Sequence, residues 1–419
     1  MGERCKPDGR TPAATPANEH GEPFVNYFRL PLSHEAKGGF GSEKTQAAMV
    51  VSHFLKWINT ARVNERVIAA SALARAYVER DLPFEDRCAA EAALTFLLDD
   101  PSAKVRMAMA DALAMSPNAP PQVIAALASD QPEVATLILA LSPLLTDADL
   151  IDRVACGQKA TQNLIAGRPF LSMALSAAIA EVGEAEACSA LLANDGADIA
   201  ALSFRRMAER HGHVAEVREA LIRDRRLPSD SRHMLLVKLG DALKSAPLVL
   251  ALMGSARAER VLKDACVKAS LTLIDGTASD EFAALISHLR LRGDLTASFI
   301  IRTVAHGKVD FFGSVLVALT GQAEPRVRAL LSSGHDVALA AVFRTAGLSE
   351  SVHGVLIRAL KIWREVANGK RVAGVQEVTF LMLKEIEGQN NDLATLIKSI
   401  HLDTLRENAR GHALAIAAA

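Results

Sequence analysis

The sequence predicts an all-α protein, an α-solenoid of short antiparallel helix pairs that follows a disordered N-terminal leader. Half of the 419 residues are hydrophobic but only 4% are aromatic, so the apolar content is aliphatic and rich in alanine, the best helix former. Apolar residues recur at helical spacing between short Pro, Gly, Asn or Asp breaks, without a strand-like alternation. Many short helices favour a stack over the alternative, one irregular bundle.

The leader spans residues 1–42. It contains five prolines among many glycines and polar residues, a composition that cannot bury enough apolar surface to offset the loss of chain entropy. Its one apolar piece runs from Phe24 to Leu32. We interpret this piece either as a docking segment or as a transient hydrophobic cluster without a role.

Helices are predicted wherever apolar residues form a stripe along one helical face. Three such stripes are Val105, Met109, Ala112 and Leu113; Val134, Leu137, Ile138 and Leu141; and Phe282, Leu285, Ile286 and Leu289.

Helix starts are predicted where a short polar side chain can accept a hydrogen bond from the unpaired N–H groups of the first turn. Four candidates are Asp100 before Pro101, Asp130 with Glu133, Thr146 with Asp149, and Ser349. Asp100 and Asp130 also begin two similar segments, which indicates a repeat. The predicted organisation is the leader, a repeat array over 43–280, and C-terminal helical repeats with capping helices over 281–419.

The segment from Asp100 to Arg106 resembles the Asp-x-x-x-x-Val-Arg element of HEAT repeats. A wider resemblance, to an uncharacterised alphaproteobacterial family of HEAT-like proteins of unknown function, rests on Ser116–Pro120, Glu133–Ala135, Leu141–Thr146, Leu191–Asn194, Gly293–Thr296, Phe311–Leu319 and Ala346–Leu348. The HEAT resemblance implies that the aspartate caps a helix and that the arginine pairs along neighbouring repeats. Family membership implies a helical solenoid and transfers no catalytic residue.

Charge and cysteine content predict a cytoplasmic protein that does not insert into a membrane. A net charge of −1 provides no global field that would attract nucleic acid or an anionic surface. The five cysteines lie far apart without a Cys-x-x-Cys pair, which suits a reducing compartment. No secretory signal and no bilayer-length apolar stretch stand out.

Known catalytic motifs are missing, so we expect no enzyme, no cofactor and no metal site. The segment Gly38–Thr45 resembles a phosphate-binding loop, but Glu43 stands where the second motif glycine belongs and no apolar strand precedes it. His211 and His213 form the one close histidine pair, which we interpret as a surface turn. A site assembled from distant residues remains an alternative.

One polar cluster, between residues 205 and 232, is a candidate binding ridge. It has eight arginines against five carboxylates. The guanidinium fork suits phosphate and carboxylate groups. The candidate residues are Arg205, Arg206, Arg210, Arg223, Arg225, Arg226 and Arg232, with Arg218 between them. The alternative is an exposed helix face decorated by pairs at i,i+4 spacing such as Arg205 with Glu209.

The predicted function is a non-catalytic scaffold or adaptor that binds an unknown protein partner through a solenoid surface. The alternative is nucleic-acid or polyanion binding through the arginine ridge, which salt would weaken. A third hypothesis, an enzyme with a nonlocal site or a small-ligand sensor, has no supporting motif.

Overall fold

The computed structural model describes residues 53–418 except 55, 80, 389 and 390. From Val63 onward it contains twenty-two α-helices and one 3-10 helix, and the described residues contain no strand beyond an isolated bridge between Leu171 and Ala197. The predicted all-α class is confirmed. The leader over 1–42, its apolar piece and the segment Gly38–Thr45 lie outside the described residues.

Contacts divide the chain into two compact units, the first ending at Ser203 and the second beginning at Phe204. The predicted boundary between 280 and 281 stays a prediction. Within the described chain no helix is both long and apolar enough to cross a membrane. The helices of the first unit are α1 (Val63–Glu79), α2 (Phe84–Leu97), α3 (Ala103–Leu113), α4 (Pro121–Leu127), α5 (Pro132–Leu141), α6 (Asp147–Cys156), α7 (Lys159–Ala166), α8 (Met173–Val182) and α9 (Ala185–Leu192).

In the first unit each odd-numbered helix packs against the next odd-numbered helix, from α1 through α9. Among the even-numbered helices, α2 packs against α4 and α6 against α8. Helix α3 buries Val105, Met109 and Leu113 as predicted. Helix α5 departs from its predicted stripe.

The buried stripe of α5 is Val134, Ala135, Ile138 and Leu139. Leu137 is half-buried, and Leu141 is exposed. The prediction was wrong here because α5 ends at Leu141, where the chain turns away from the packed face.

Two predicted helix starts are confirmed and two are wrong. The Thr146 hydroxyl accepts from the backbone N–H of Asp149, whose carboxylate accepts from Thr146 N at 3.0 Å, a complete capping box. Ser349 accepts from the Ser351 N–H. Asp100 and Asp130 are not the N-cap residues, which are Ser102 for α3 and Gln131 for α5; the backbone N–H that each aspartate accepts from is that of the cap residue, outside the helix.

The carboxylates of Asp100 and Asp130 instead pair with arginines of the preceding odd-numbered helices. Arg66 on α1 donates to both oxygens of Asp100, at 2.8 and 3.1 Å. Arg106 on α3 forms the same fork with Asp130 and also donates to the Asp100 carbonyl. Because Asp100 receives bonds from both arginines, the two pairs form a continuous ladder through α1 and α3.

Helix α10 (Ala201–His211) spans the division between the units. The later helices are α11 (Ala215–Arg223), α12 (Ser229–Ser245), α13 (Pro247–Met253), α14 (Ser255–Asp275), the 3-10 helix (Ser279–Glu281), α15 (Phe282–Arg292), α16 (Ala297–Ala305), α17 (Val309–Thr320), α18 (Glu324–Ser333), α19 (Asp336–Thr345), α20 (Glu350–Ala367), α21 (Val375–Glu385) and α22 (Asp392–Ala418).

The core of the second unit is built around phenylalanines. Phe282 meets Phe311 edge to face with ring centroids 5.2 Å apart, and Phe312 meets Phe343 in the same way at 5.8 Å. The predicted stripe of α15, beginning at Phe282, is fully buried and confirmed. Several of these helices end at glycines in the left-handed conformation, which only glycine adopts without strain.

Helices α12 and α14 pack along each other and, with α13 between them, form a hairpin. Their close approach depends on Gly240, because a Cβ there would lie 2.7 Å from the Cys266 sulfur. An ion pair at 3.0 Å between Lys244 and Glu259 joins the two helices next to α13. The half of the hairpin nearest α13 projects beyond the unit's core, and most of its residues are exposed.

Candidate binding sites

The predicted arginine ridge lies on α10, α11, the loop after α11 and the start of α12. Most of its guanidinium groups already have internal partners. Arg205 pairs with the buried Asp230 carboxylate rather than with Glu209 as predicted. The partner of Glu209 is Arg206, at 3.4 Å. Arg223 pairs with Glu219 at i,i+4 spacing.

Other members of the ridge hold the local backbone. Arg226 pairs with Asp224 at 2.8 Å and lies over the Phe204 ring, 5.5 Å from its centroid. The Arg232 guanidinium donates to four backbone carbonyls, those of Ile222, Asp224, Arg225 and Leu227.

Arg218 likewise donates to the carbonyls of Gly212 and His213. Arg210 is half-buried and Arg225 is exposed. The structure therefore brings the predicted residues into one region, in which groups of the protein itself engage Arg205, Arg206, Arg223, Arg226 and Arg232. Polyanion binding here stays a prediction.

A buried histidine and serine cluster lies next to this region, formed by His233 on α12, Ser270 on α14 and His288 on α15. His233 Nε2 is 3.1 Å from Ser270 Oγ, and Ser270 Oγ donates to the Cys266 carbonyl at 2.7 Å. Since a hydroxyl has one proton, Nε2 must be the donor to Ser270, which assigns the tautomer of His233. The serine is thus not arranged as a nucleophile with His233 as its base.

Burial, and secondly the neighbouring His288, lowers the pKa of His233 to about 4, so its ring is neutral near pH 7. The two rings meet edge to face with centroids 5.3 Å apart. His233 Nδ1 and His288 Nε2 are buried without a hydrogen-bond partner in the described structure. Sequence reasoning missed this cluster because its members lie 37 and 18 residues apart on three helices.

A cavity of 580 Å³ lies between the end of α16, the start of α21 and the middle of α22, which we call the C-terminal pocket. Its lining residues are His306, Gly374, Val375, Gln376, Glu377, Phe380, His401, Thr404, Glu407 and Asn408. This volume lies within the range of small-ligand sites. The sequence analysis named none of these residues, since the first and the last are about a hundred positions apart.

Hydrogen bonds define the donors and acceptors of the C-terminal pocket. The Thr379 hydroxyl behind its wall donates to the Val375 carbonyl at 2.8 Å, so His401 Nδ1 must donate to Thr379 at 2.9 Å. This tautomer leaves His401 Nε2 as an acceptor. Asn408 donates its amide N–H to Gln376 at 2.9 Å across the pocket.

The charged groups of the C-terminal pocket are carboxylates. Glu377 accepts one hydrogen bond from Arg371, outside the lining, and Glu407 is exposed on α22. Burial lowers the pKa of His306, against the opposing effect of Glu407, so His306 is neutral near pH 7. Across the described chain no three histidine, cysteine, aspartate or glutamate side chains are grouped to hold a metal ion.

A second candidate binding surface is the helix α13, residues Pro247–Met253, which we call the apolar tip. Every side chain of this helix is apolar, yet it buries none of its residues. Leu248 and Leu252 are 70% and 74% exposed. Arg257 and Arg260, on the adjoining turns of α14, are also exposed.

A family model described as an uncharacterised protein conserved in bacteria, DUF2336, matches residues 134–388, from α5 through α21. No curated protein and no solved structure matches the chain. The predicted resemblance to an uncharacterised family of unknown function is confirmed, while its HEAT-like repeats stay a prediction. The family model covers more than half of the chain, and the chain therefore belongs to the DUF2336 family.

Proposed function

We propose that this chain is a non-catalytic cytoplasmic scaffold, a solenoid of HEAT-like repeats that binds a protein partner through the apolar tip. The repeat interpretation is supported by the successive contacts of odd-numbered helices in the first unit and by the arginine–aspartate ladder between them. The geometry of Ser270 and His233, which does not activate the hydroxyl, favours a non-catalytic role.

The single observation that carries the binding proposal is the exposure of α13. Burial of a leucine side chain stabilises a protein by about 1.5–3 kcal/mol, yet this helix presents Leu248, Leu250 and Leu252 to solvent. A contiguous exposed apolar patch is typical of an interaction surface. A partner that covered the tip would recover this burial.

Charge around the tip specifies the chemistry of the partner. Arg257, Arg260 and Lys263 follow α13 within the first three turns of α14 and are exposed. These turns contain two acidic side chains against the three cations: Glu259, which is paired with Lys244, and Asp264. The complementary partner is therefore a protein segment with an apolar face and a carboxylate rim.

Photo-crosslinking tests this function. A benzophenone side chain placed at Leu252 should capture one protein segment of apolar residues flanked by acids. The Arg257→Glu/Arg260→Glu variant should abolish the capture. As a matched control, the same probe at Leu291, an exposed leucine on α15, should not capture that segment.

Three results would overturn the proposal. Capture of a second copy, with dissociation of a dimer by Leu248→Asp/Leu252→Asp, would make the tip a self-association surface. Tip-dependent sedimentation with phosphatidylglycerol vesicles would make it a lipid-binding surface. Capture that survives both charge reversals would show that the partner does not need an acidic rim.

The alternative function, polyanion binding through Arg205, Arg206, Arg210, Arg223, Arg225, Arg226 and Arg232, is tested by a mobility shift with duplex DNA or RNA at low salt. A shift that weakens with salt, and is lost in Arg223→Gln/Arg225→Gln, would support it over the apolar tip.

A further inference from the structure

We propose that the C-terminal pocket binds a ligand with a cationic nitrogen group, a primary ammonium or a guanidinium. This site is separate from the apolar tip, and its argument does not depend on the proposed scaffold function.

The lining of the pocket provides acceptors but no cationic side chain of its own, although Arg371 outside the lining bonds one of them, Glu377. None of its ten lining residues is lysine or arginine. The Glu407 carboxylate lines it, and Glu377 has further acceptor capacity besides its bond from Arg371. In the tautomer that donates from Nδ1 to Thr379, His401 Nε2 adds another acceptor. A ligand rich in N–H donors satisfies this set of atoms.

An aromatic wall supports the same ligand class. The side chain of Phe380 is 56% exposed although it belongs to a helix packed on both α20 and α22. Its ring lies 6.2 Å from that of His401, so two aromatic rings stand beside the carboxylates. The face of an aromatic ring attracts a cation, and the attraction grows as water is excluded.

Other ligand classes fit this lining less well. An anion would face two carboxylates and the neutral ring of His306, and no lysine or arginine belongs to the lining. The lining includes two histidines and two glutamates, but the described structure does not group three of them as metal ligands. The volume of 580 Å³ exceeds the needs of a single ion and accommodates an extended amine or a basic side chain with its neighbours.

The ligand can be a free amine or a basic side chain of a peptide, and calorimetry with the full chain distinguishes the two. The probes are spermidine, agmatine, a blocked Gly-Arg-Gly peptide and, as the anionic control, glutarate. We expect at least one of the cationic probes to bind and glutarate not to bind. Binding of the peptide alone would assign the site to a partner's side chain, and binding of the free amines alone to a metabolite.

Variants connect the binding to the pocket. Glu407→Gln should lower the affinity for the cationic probe about tenfold, because it removes a partly screened charge from the site. Phe380→Ala should lower the same affinity about threefold, because the cation loses its contact with the face of the ring. The control Glu350→Gln, an exposed carboxylate on α20, should leave binding unchanged.

Glu407 is exposed, so its substitution leaves the packing of α22 intact, which a thermal melt verifies. The proposal is overturned if none of the cations binds at millimolar concentration, if glutarate binds instead, or if Glu407→Gln binds the cation as tightly as the wild type. Zinc binding that is lost in His401→Ala would also overturn it, in favour of a metal site.

Discussion

The two units stabilise neighbouring helices by different means. The first unit links α1, α3 and α5 through buried arginine–aspartate pairs, and none of its described glycines has a positive φ. The second unit packs phenylalanines in its core, and all eight described glycines with positive φ lie within it. Specific charged contacts therefore orient the helices of one unit, and turn geometry with aromatic packing orients those of the other.

The two units also differ in the lengths of their helices, and both candidate sites described above, the apolar tip and the C-terminal pocket, lie in the second unit. The first unit consists of short helices of 7 to 17 residues, while the second contains helices of 21 and 27 residues that extend past their neighbours. The apolar tip directly precedes the first of these longer helices, and the second contributes to the lining of the C-terminal pocket. Four substitutions or conditions test the comparison, beginning with the largest expected effect.

Phe312→Ala should destabilise the second unit by about 4 kcal/mol, because Phe312 is fully buried against Phe343. Hydrogen exchange followed by mass spectrometry should show faster exchange from 204 onward and little change before it. The control is Phe170→Ala, an exposed ring in the first unit. Equal loss of protection in both units would contradict their independent stabilisation.

Arg106→Ala should lower the free energy of unfolding of the first unit by about 3 kcal/mol, since it leaves the Asp130 carboxylate largely buried and unpaired. The side chains of this pair are only 11% and 12% exposed. Arg223→Ala breaks the exposed pair with Glu219 and should cost less than about 0.5 kcal/mol. Urea denaturation of both variants measures the contrast, and similar losses would refute it.

Acidification from pH 7 to pH 5 should destabilise the second unit by about 2 kcal/mol through His233. The unfolded imidazole binds a proton near its ordinary pKa of 6.5, whereas the buried one does so only at about 4. The unfolded state therefore holds more protons in this window, and stability falls as the pH falls from about 6.5 towards 4. His233→Gln should flatten the pH dependence, and an unchanged slope in chemical denaturation would exclude His233 as its source.

Gly321→Ala should destabilise the second unit by about 1 kcal/mol, because Gly321 ends α17 with a φ of +67°. A Cβ there meets nothing within 4 Å, so the cost comes from the backbone alone. The matched change in the first unit, Gly167→Ala at a φ of −85°, should stay within about 0.5 kcal/mol of wild type. Melting temperatures that shift equally would remove glycine conformation as a distinguishing feature.

Sequence reasoning succeeded where the structure depends on local patterns. The stripes of α3 and α15 and the capping box of Thr146 and Asp149 follow from residues within about two turns of one another. It failed at Asp100, where a capping role and a pairing role look identical in sequence. Arg66, the partner that decides between them, lies 34 residues away.

The candidate sites were still less accessible to sequence analysis. The predicted arginine ridge was selected by composition, but its partners Asp230 and the carbonyls around Arg232 became visible only through the fold. The C-terminal pocket combines His306 with residues of α21 and α22, and none of its members forms a motif with a neighbour in sequence. Nonlocal contacts assemble such sites, so spacing rules do not find them.

The crossing of α12 and α14 at Gly240 makes Cys266 a natural reporter of hairpin opening. Burial raises the pKa of its thiol, and alkylation needs the solvated thiolate. With the exposed Cys88 and Cys156 replaced by serine, the rate of modification at Cys266 would follow the separation of the two helices. A partner that binds the apolar tip and holds the two helices together would therefore lower the rate of alkylation at Cys266.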